Sequence, residues 1–337
     1  MDVTDVLGAP APLRDVDPSP VSGPAPTRSV WLGAVVAVVL AVAVALRFWT
    51  RSDLWLDEAQ TVAIARQPLH SLTGALRHDG APPLHYVLLH AWIRVFGTSD
   101  LAVRSLSGVL GVACLPLAWL AGRRAGRHRG EAAATATAWA ALLLVATSPF
   151  AVHYSTEARM YSLVVLLTLV GYLALTSILE DPAPRAGPVV ALAVTTGLLL
   201  LTHYWAGFLL AALGAYLAVL SVRQPEERRP RHALAAMAAG CLLFVPWLPA
   251  FAHQLRHTGT PWADPGSFTA LVNAISEFAG GKTSAGRGLG LVFFALLGFG
   301  LFGRGVDERH VDIDLRTQPD SRGLGVVLVG ALTIAIA

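Results

Sequence analysis

Asp57 and Glu58 stand side by side in the stretch Leu54-Trp55-Leu56-Asp57-Glu58-Ala59, directly after an apolar run from Val30 to Trp49. Carboxylates at such a depth are costly beside hydrocarbon and belong in a water-filled or substrate-filled cavity. A carboxylate in a partly dehydrated pocket can take a proton from a hydroxyl, and a second can orient it or hold a metal ion. Asp57 and Glu58 are therefore candidate catalytic groups. The plainer alternative is an acid favouring the dipole of a surface helix start.

Four further groups follow. In His78-Asp79-Gly80-Ala81-Pro82-Pro83-Leu84-His85-Tyr86, the proline pair sets a rigid turn into a helix. His78, Asp79, His85 and Tyr86 can line a site, and the imidazoles and Asp79 can join Asp57 around a divalent ion. Oxygen ligands suit Mg or Mn and imidazoles suit zinc, but the spacing matches no metal motif. Arg104 sits where an apolar run begins, able to grip a phosphate through paired hydrogen bonds or to snorkel to headgroups. In Ser148–Tyr161, Glu157 is a second candidate acid, and Arg159 and Tyr161 are candidate substrate ligands. Glu157 and Arg159 are too close in sequence to share a helix face, so each is expected to have another partner. Ser155 or Thr156 is expected to cap the next helix. His203 and Tyr204 can stack on a sugar, or join Trp205 in an interfacial aromatic belt. Glu277 and Lys282 are weaker contributors.

The elements that must hold these groups follow from composition. Of the 337 residues, 54% are hydrophobic and 14% charged, against about a quarter charged in soluble domains. The fold class read from this is an all-α polytopic membrane protein. A span needs about 20 mostly apolar residues. Candidate spans cover roughly 29–49, 101–122, 132–150, 160–179, 188–203, 205–222, 233–251, 288–303 and 323–337. Arginine clusters at 123–129, 185, 223–231 and 304–322 fall in alternate loops, which makes that side cytoplasmic, with the N-terminus there too. The sites above then all fall on the opposite, extracytoplasmic side of a bacterial-type plasma membrane. Scattered structural polars would not segregate so. Residues 82–96 are too short to span and would break the alternation, so they are read as an interfacial helix, with 60–76 a second. Together they make 50–100 a large structured loop. Residues 1–28, rich in Pro and Ala, are read as a disordered tail, and 29–337 as one transmembrane domain. The apolar run ending at Ala337 is short for a span, so the reading allows for a longer natural chain.

Several classes are excluded. A net charge of +3 with arginines in short clusters is no nucleic-acid signature. Cys114 and Cys241 lie in apolar segments and suggest neither a disulfide nor a thiolate site. Gly281-Lys282-Thr283 is not a phosphate loop, because Ser276 stands where the first glycine is required. A lipid or solute transporter is the alternative reading, though no internal repeat is visible.

In order and spacing, WLDEA, PPLHYVLLHAWIRVFG, LAVRSLSGVLG and HYSTEARMYSL resemble the GT-C membrane glycosyltransferases. Within them the motifs resemble the group containing protein O-mannosyltransferases, the lipid A aminoarabinose transferase and their bacterial mannosyltransferase-like relatives. The resemblance covers roughly residues 30–210. It implies a polyprenyl-phosphate sugar donor and transfer with inversion on the extracytoplasmic face. The acceptor would be a hydroxyl of a glycan, lipid or protein. It implies Asp57 as base or metal partner with Glu58 beside it, Arg104 near the donor phosphate, and Glu157 as the acid of the second loop. The chain departs from the pattern at Ala81, where His or Asn commonly precedes the proline pair.

Overall fold

The structure is a computed structural model that describes residues 26–50, 52–181, 183, 185–258 and scattered positions from 284 to 331. Residues 1–25 of the expected tail, Glu277, Lys282 and most of the two C-terminal candidate spans lie outside the described residues. The chain divides into a first unit, Met1–Val39, and a second, Leu40–Ala337. In the first unit, helix α1 (Pro26–Leu46) begins inside the expected tail, and Val30, Trp31, Leu32, Val35 and Val38 are exposed. The remainder of the fold concerns the second unit.

After the end of α1 come three short helices, α2 (Leu56–Ala65), α3 (Leu69–Asp79) and α4 (Leu84–Phe96). They fill the loop expected at 50–100. Longer helices follow: α5 (Asp100–Gly126), α6 (Glu131–Thr147), α8 (Tyr161–Glu180), α9 (Ala186–Thr202), α10 (Ala206–Arg223) and α11 (Arg229–Cys241). Among the described residues, four helical segments are long and apolar enough to cross a membrane: Asp100–Arg129, Tyr161–Glu180, Ala206–Arg223 and Arg229–His257. A fifth arises if α6 and the short α7 (Pro149–Ser155), bent by 55°, count as one span. The departure from all-helix is a small antiparallel pair, β1 (Gly303–Gly305) and β2 (Val311–Ile313).

Local chemistry accounts for the breaks. The Ser99 hydroxyl accepts from the Ala102 amide and caps α5, satisfying a donor that a helix start leaves orphaned. Between the expected spans 132–150 and 160–179, Ser148 caps α7 and Pro149 sits in its first turn, where a missing N–H costs nothing. Ser155 and Thr156 do not cap α8. Their hydroxyls donate back to the Ala151 and His153 carbonyls. The span expected at 233–251 lies within one helical segment, Arg229–His257, which tightens to a 3₁₀ stretch at Leu242–Trp247 containing Pro246 and continues as α12 (Leu248–His257). A proline inside a helix removes a backbone bond and favours such a local change of winding.

Packing runs in layers along the bundle. Val62, Ala65, Leu89, Ile93, Val103, Leu106 and Ala158 join α2, α4 and the start of α5 to the loop before α8. Ala174, Ile178, Leu192, Leu217, Ala233, Ala236 and Met237 join α8 to α11 farther along. Where helices touch in lipid, small residues let backbones approach. A Cβ on Gly111 of α5 would lie 2.1 Å from the Ser155 hydroxyl of α7, and one on Gly240 of α11 would lie 2.1 Å from the Ala193 carbonyl of α9. Arg47, 1% exposed near the end of α1, donates to the Ala43, Val145 and Ala146 carbonyls. It ties the C-terminal ends of α1 and α6, whose dipoles favour a cation.

Gly240→Ala should lower the thermal midpoint of the protein in detergent by the equivalent of about 1–3 kcal/mol, the usual cost of overpacking. A midpoint equal to the parent's would show that α9 and α11 can part without cost.

Candidate active site

The first turn of α2 faces the loop before α8 and the start of α5. Asp57 and Glu58 are neighbours on one helix, so their side chains diverge by about 100°, and they meet different surroundings. Glu58 is 0% exposed. Its Oε1 accepts from Arg104 Nε at 2.8 Å and from the Ala158 amide at 2.8 Å. Its Oε2 accepts from Arg104 Nη2 at 2.5 Å and from the Trp55 amide at 3.3 Å. Burial alone would raise its pKa, but the Arg104 guanidinium and the Ala158 and Trp55 amides outweigh it, so the carboxyl is held below its usual value.

Arg104 is equally committed. Besides Glu58, its Nη1 donates to Thr50 Oγ1 and the Ser52 carbonyl, and its Nη2 to the Asp53 carbonyl. A guanidinium has five N–H donors, and all are in use. The contacts make Glu58 and Arg104 an internal tie, and they engage every N–H donor of Arg104. The physical reason is mutual: each would be a costly unpaired buried charge without the other.

Asp57 points the other way and is 42% exposed, with Arg159 Nη2 3.6 Å from its Oδ2. Arg159 Nη1 donates to Thr61 Oγ1 at 3.2 Å, and the Thr61 hydroxyl donates to the Asp57 carbonyl at 2.7 Å. Burial works against the charge on Arg159, and the oxygens of Tyr161, Tyr86 and Asp57 more than offset it, so the guanidinium is held charged more firmly than usual. The Ser107 hydroxyl donates to the Arg159 carbonyl and fixes this loop on α5. Glu157 is 13% exposed and lies 3.2 Å from His153 Nε2. Burial first, and the nearby Glu58 carboxylate after it, raise the Glu157 pKa against the pull of His153, Arg159 and Arg104.

His85 is 2% exposed at the start of α4, and burial lowers its pKa to about 4, so the ring is neutral. Among the described residues, His85 Nδ1 and Nε2 and Arg159 Nε are enclosed with no hydrogen-bond partner. Buried polar atoms are rarely left so. Tyr161 lies between Tyr154 and His203, with ring centroids at 4.3 and 6.1 Å. Burial also lowers the His203 pKa.

Other expected site residues hold the frame. The Tyr86 hydroxyl donates to Asp79 Oδ2 at 2.6 Å, and Gln60 Nε2 donates to Asp79 Oδ1 at 2.6 Å, which ties α2, α3 and α4 together. His78 is exposed and bonds the Gly74 carbonyl within α3. Tyr204 accepts from Trp247 Nε1 at 2.8 Å and bonds Gln254. Hence His78, Asp79 and Tyr204 are engaged elsewhere. Among the described residues no three His, Cys, Asp or Glu gather as a metal site, so the grouping of His78, Asp79 and His85 with Asp57 does not form. Sequence reasoning missed Thr61, Gln254 and Arg47. Gln254 is buried and donates to the Leu76 and Ala81 carbonyls. Arg47 carried a signal, being a charge inside an apolar run.

A helical bundle with several apolar helices of membrane-crossing length, its polar side chains gathered where helix ends meet, defines a polytopic membrane protein. A family model described as dolichyl-phosphate-mannose-protein mannosyltransferase matches residues 80–249, half of the chain, and the chain belongs to that family. Among solved structures it is similar to ArnT from Cupriavidus metallidurans, crystallised bound to undecaprenyl phosphate. That match has 18% identity and a TM-score of 0.49 and covers 93% of this chain and 60% of the other, so the chain spans about 60% of that protein's length. No curated protein matches the chain.

Glu58→Ala and Arg104→Ala should each destabilise the fold by about 3–5 kcal/mol, and the double variant by less than their sum. Thermal unfolding in detergent reads this, and strictly additive losses would show that the two do not act as a pair. Because the folded pKa of Glu58 is depressed, the unfolded chain binds more protons between the two values. The stability Glu58 contributes is thus present above its unfolded pKa of about 4.3 and lost as pH falls through the lower folded value. In an acid titration the stability difference between the parent and Glu58→Gln should shrink below pH of about 4; a gap that widens instead would oppose the assignment.

Proposed function

We propose that the chain transfers a sugar, mannose or a related hexose or pentose, from a polyprenyl-phosphate donor to an acceptor hydroxyl of a glycan, lipid or protein. The family to which it belongs supports the donor class. The observation that carries the reading is the contrast at Asp57: the carboxylate beside it is fully consumed, while Asp57 stays open to solvent next to a firmly charged arginine.

The reaction is a single displacement. The acceptor hydroxyl loses its proton to the Asp57 carboxylate as its oxygen bonds the sugar C1. The bond from C1 to the phosphate oxygen breaks with its electron pair, and the configuration at C1 inverts. Arg159 faces the negative charge growing on the leaving phosphate, as pre-set donors do in many transferases. Its unpaired Nε and the neutral ring nitrogens of His85 are the enclosed groups that bound substrate would satisfy. Tyr161 and His203 offer ring faces to a sugar, and Glu157 sets the local field. Asp57 is the residue that would hold a Mg or Mn ion, whose charge would offset that growing on the leaving phosphate. By the positive-inside rule the arginine-bearing end is cytoplasmic, with the N-terminus, and the site extracytoplasmic.

The purified full chain in nanodiscs, given radiolabelled polyprenyl-phosphate mannose and an acceptor extract, should pass label to an acceptor. Asp57→Asn should lower that rate by about 10²–10⁴, the typical worth of a general base, with the thermal midpoint unchanged. Near-parental turnover in the variant would remove Asp57 from the mechanism, and movement of label across the bilayer without bond cleavage would favour a transporter.

A further inference from the structure

At the other end of α5, about 30 Å from Arg104 at 1.5 Å per residue, lies a cavity of about 340 Å³ that the proposed reaction does not use. Its lining includes Arg124, Arg127, Ser177, Glu180, Asp181 and Arg185. Three guanidiniums against two carboxylates leave one net positive charge among the lining groups, and His128 Nε2 lies 3.6 Å from Glu180.

The acid here organises the cations and does not exhaust them. Glu180 Oε2 accepts from Arg124 Nε at 2.9 Å and Nη2 at 2.6 Å, and from Arg127 Nη2. Arg124 Nη1 donates to Ser177 Oγ at 2.8 Å. Two guanidiniums are thereby held side by side. Of their ten N–H donors, these bonds engage four, three from Arg124 and one from Arg127. Arg185 is 85% exposed and lies 3.7 Å from Asp181. It is also the residue before α9, whose start has no side-chain cap. Pro188, in the first turn of α9, forms a wall of the same cavity, so the positive dipole end of that helix lies beside it.

Position selects the ligand. The cavity opens where two apolar spans, Asp100–Arg129 and Tyr161–Glu180, reach their polar ends. That is headgroup depth, where basic pockets between membrane helices take anionic lipid phosphates. We propose that this cavity binds the phosphate of an anionic phospholipid headgroup, held by Arg124, Arg127 and Arg185. Bound there, the lipid bridges α5, α8 and α9 at the end of the bundle away from the candidate active site.

The test uses the full chain reconstituted in nanodiscs of phosphatidylcholine with phosphatidylglycerol. Lipid retained after extraction is counted by native mass spectrometry for the parent, Arg127→Ala, Arg185→Ala and the double variant. Both arginines are exposed enough, at 42% and 85%, for truncation to leave the fold in place, and Arg124 keeps Glu180 paired. The parent should retain phosphatidylglycerol over phosphatidylcholine. Each single variant should weaken retention about five-fold, the worth of one arginine near an anionic surface, and the double variant more, with the effect fading at high salt. Equal retention of both lipids, or a double variant that retains as the parent does, overturns the proposal. Thermal protection by inorganic phosphate in pure phosphatidylcholine that equals protection by phosphatidylglycerol would assign the cavity to a free anion and overturn the lipid reading.

Discussion

The buried pair of Glu58 and Arg104 is the constraint on which the candidate site depends. Two full charges withdrawn from water carry a desolvation cost of several kcal/mol each, which only close geometry and complete hydrogen bonding offset. Here every acceptor direction of the carboxylate and every donor of the guanidinium finds a partner within one small volume. The partners come from the 50–53 strand of chain, α2, α5 and the loop at 158. A displacement of any of them would strand a charge, so the pair sets their mutual position more sharply than apolar contact would.

That fixation shapes its surroundings. With Glu58 turned inward, helical geometry turns Asp57 outward, toward Arg159. The Ala158 amide that serves Glu58 also anchors the backbone from which Arg159 and Glu157 project. One buried interaction thus places an open carboxylate, a firmly charged arginine and a carboxyl of raised pKa around a common space. Enclosed nitrogens of His85 and Arg159 left without partners mark the same region.

The bundle treats its charges differently at its two ends. Arg104 and Arg47 are sealed in, the first by a carboxylate and carbonyls, the second by carbonyls at two helix ends. At the far end, Arg124, Arg127 and Arg185 surround an open cavity and share Glu180 and Asp181. Side chains of one type serve as internal staples at one end and as a cationic surface at the other. Local acceptor supply makes the difference.

By itself the sequence determined the class of molecule, the positions of most helices, and the segregation of acids at 57–58 and 157 from the arginines at 123–129. Those features rest on apolar run length and loop charge, which are local. The bend at Pro149 and the 3₁₀ stretch at Pro246 are less legible, because a proline within a membrane helix is tolerated in some settings and not in others. Only the tertiary structure decided which acid and which arginine are consumed. The Arg104–Glu58 bonds join residues 46 apart, and the Ala158–Glu58 bond joins residues 100 apart. No spacing rule reaches that far. Adjacent residues Asp57 and Glu58 look alike in the chain, and their separate fates follow from the 100° turn between them and from what happens to pack on each side.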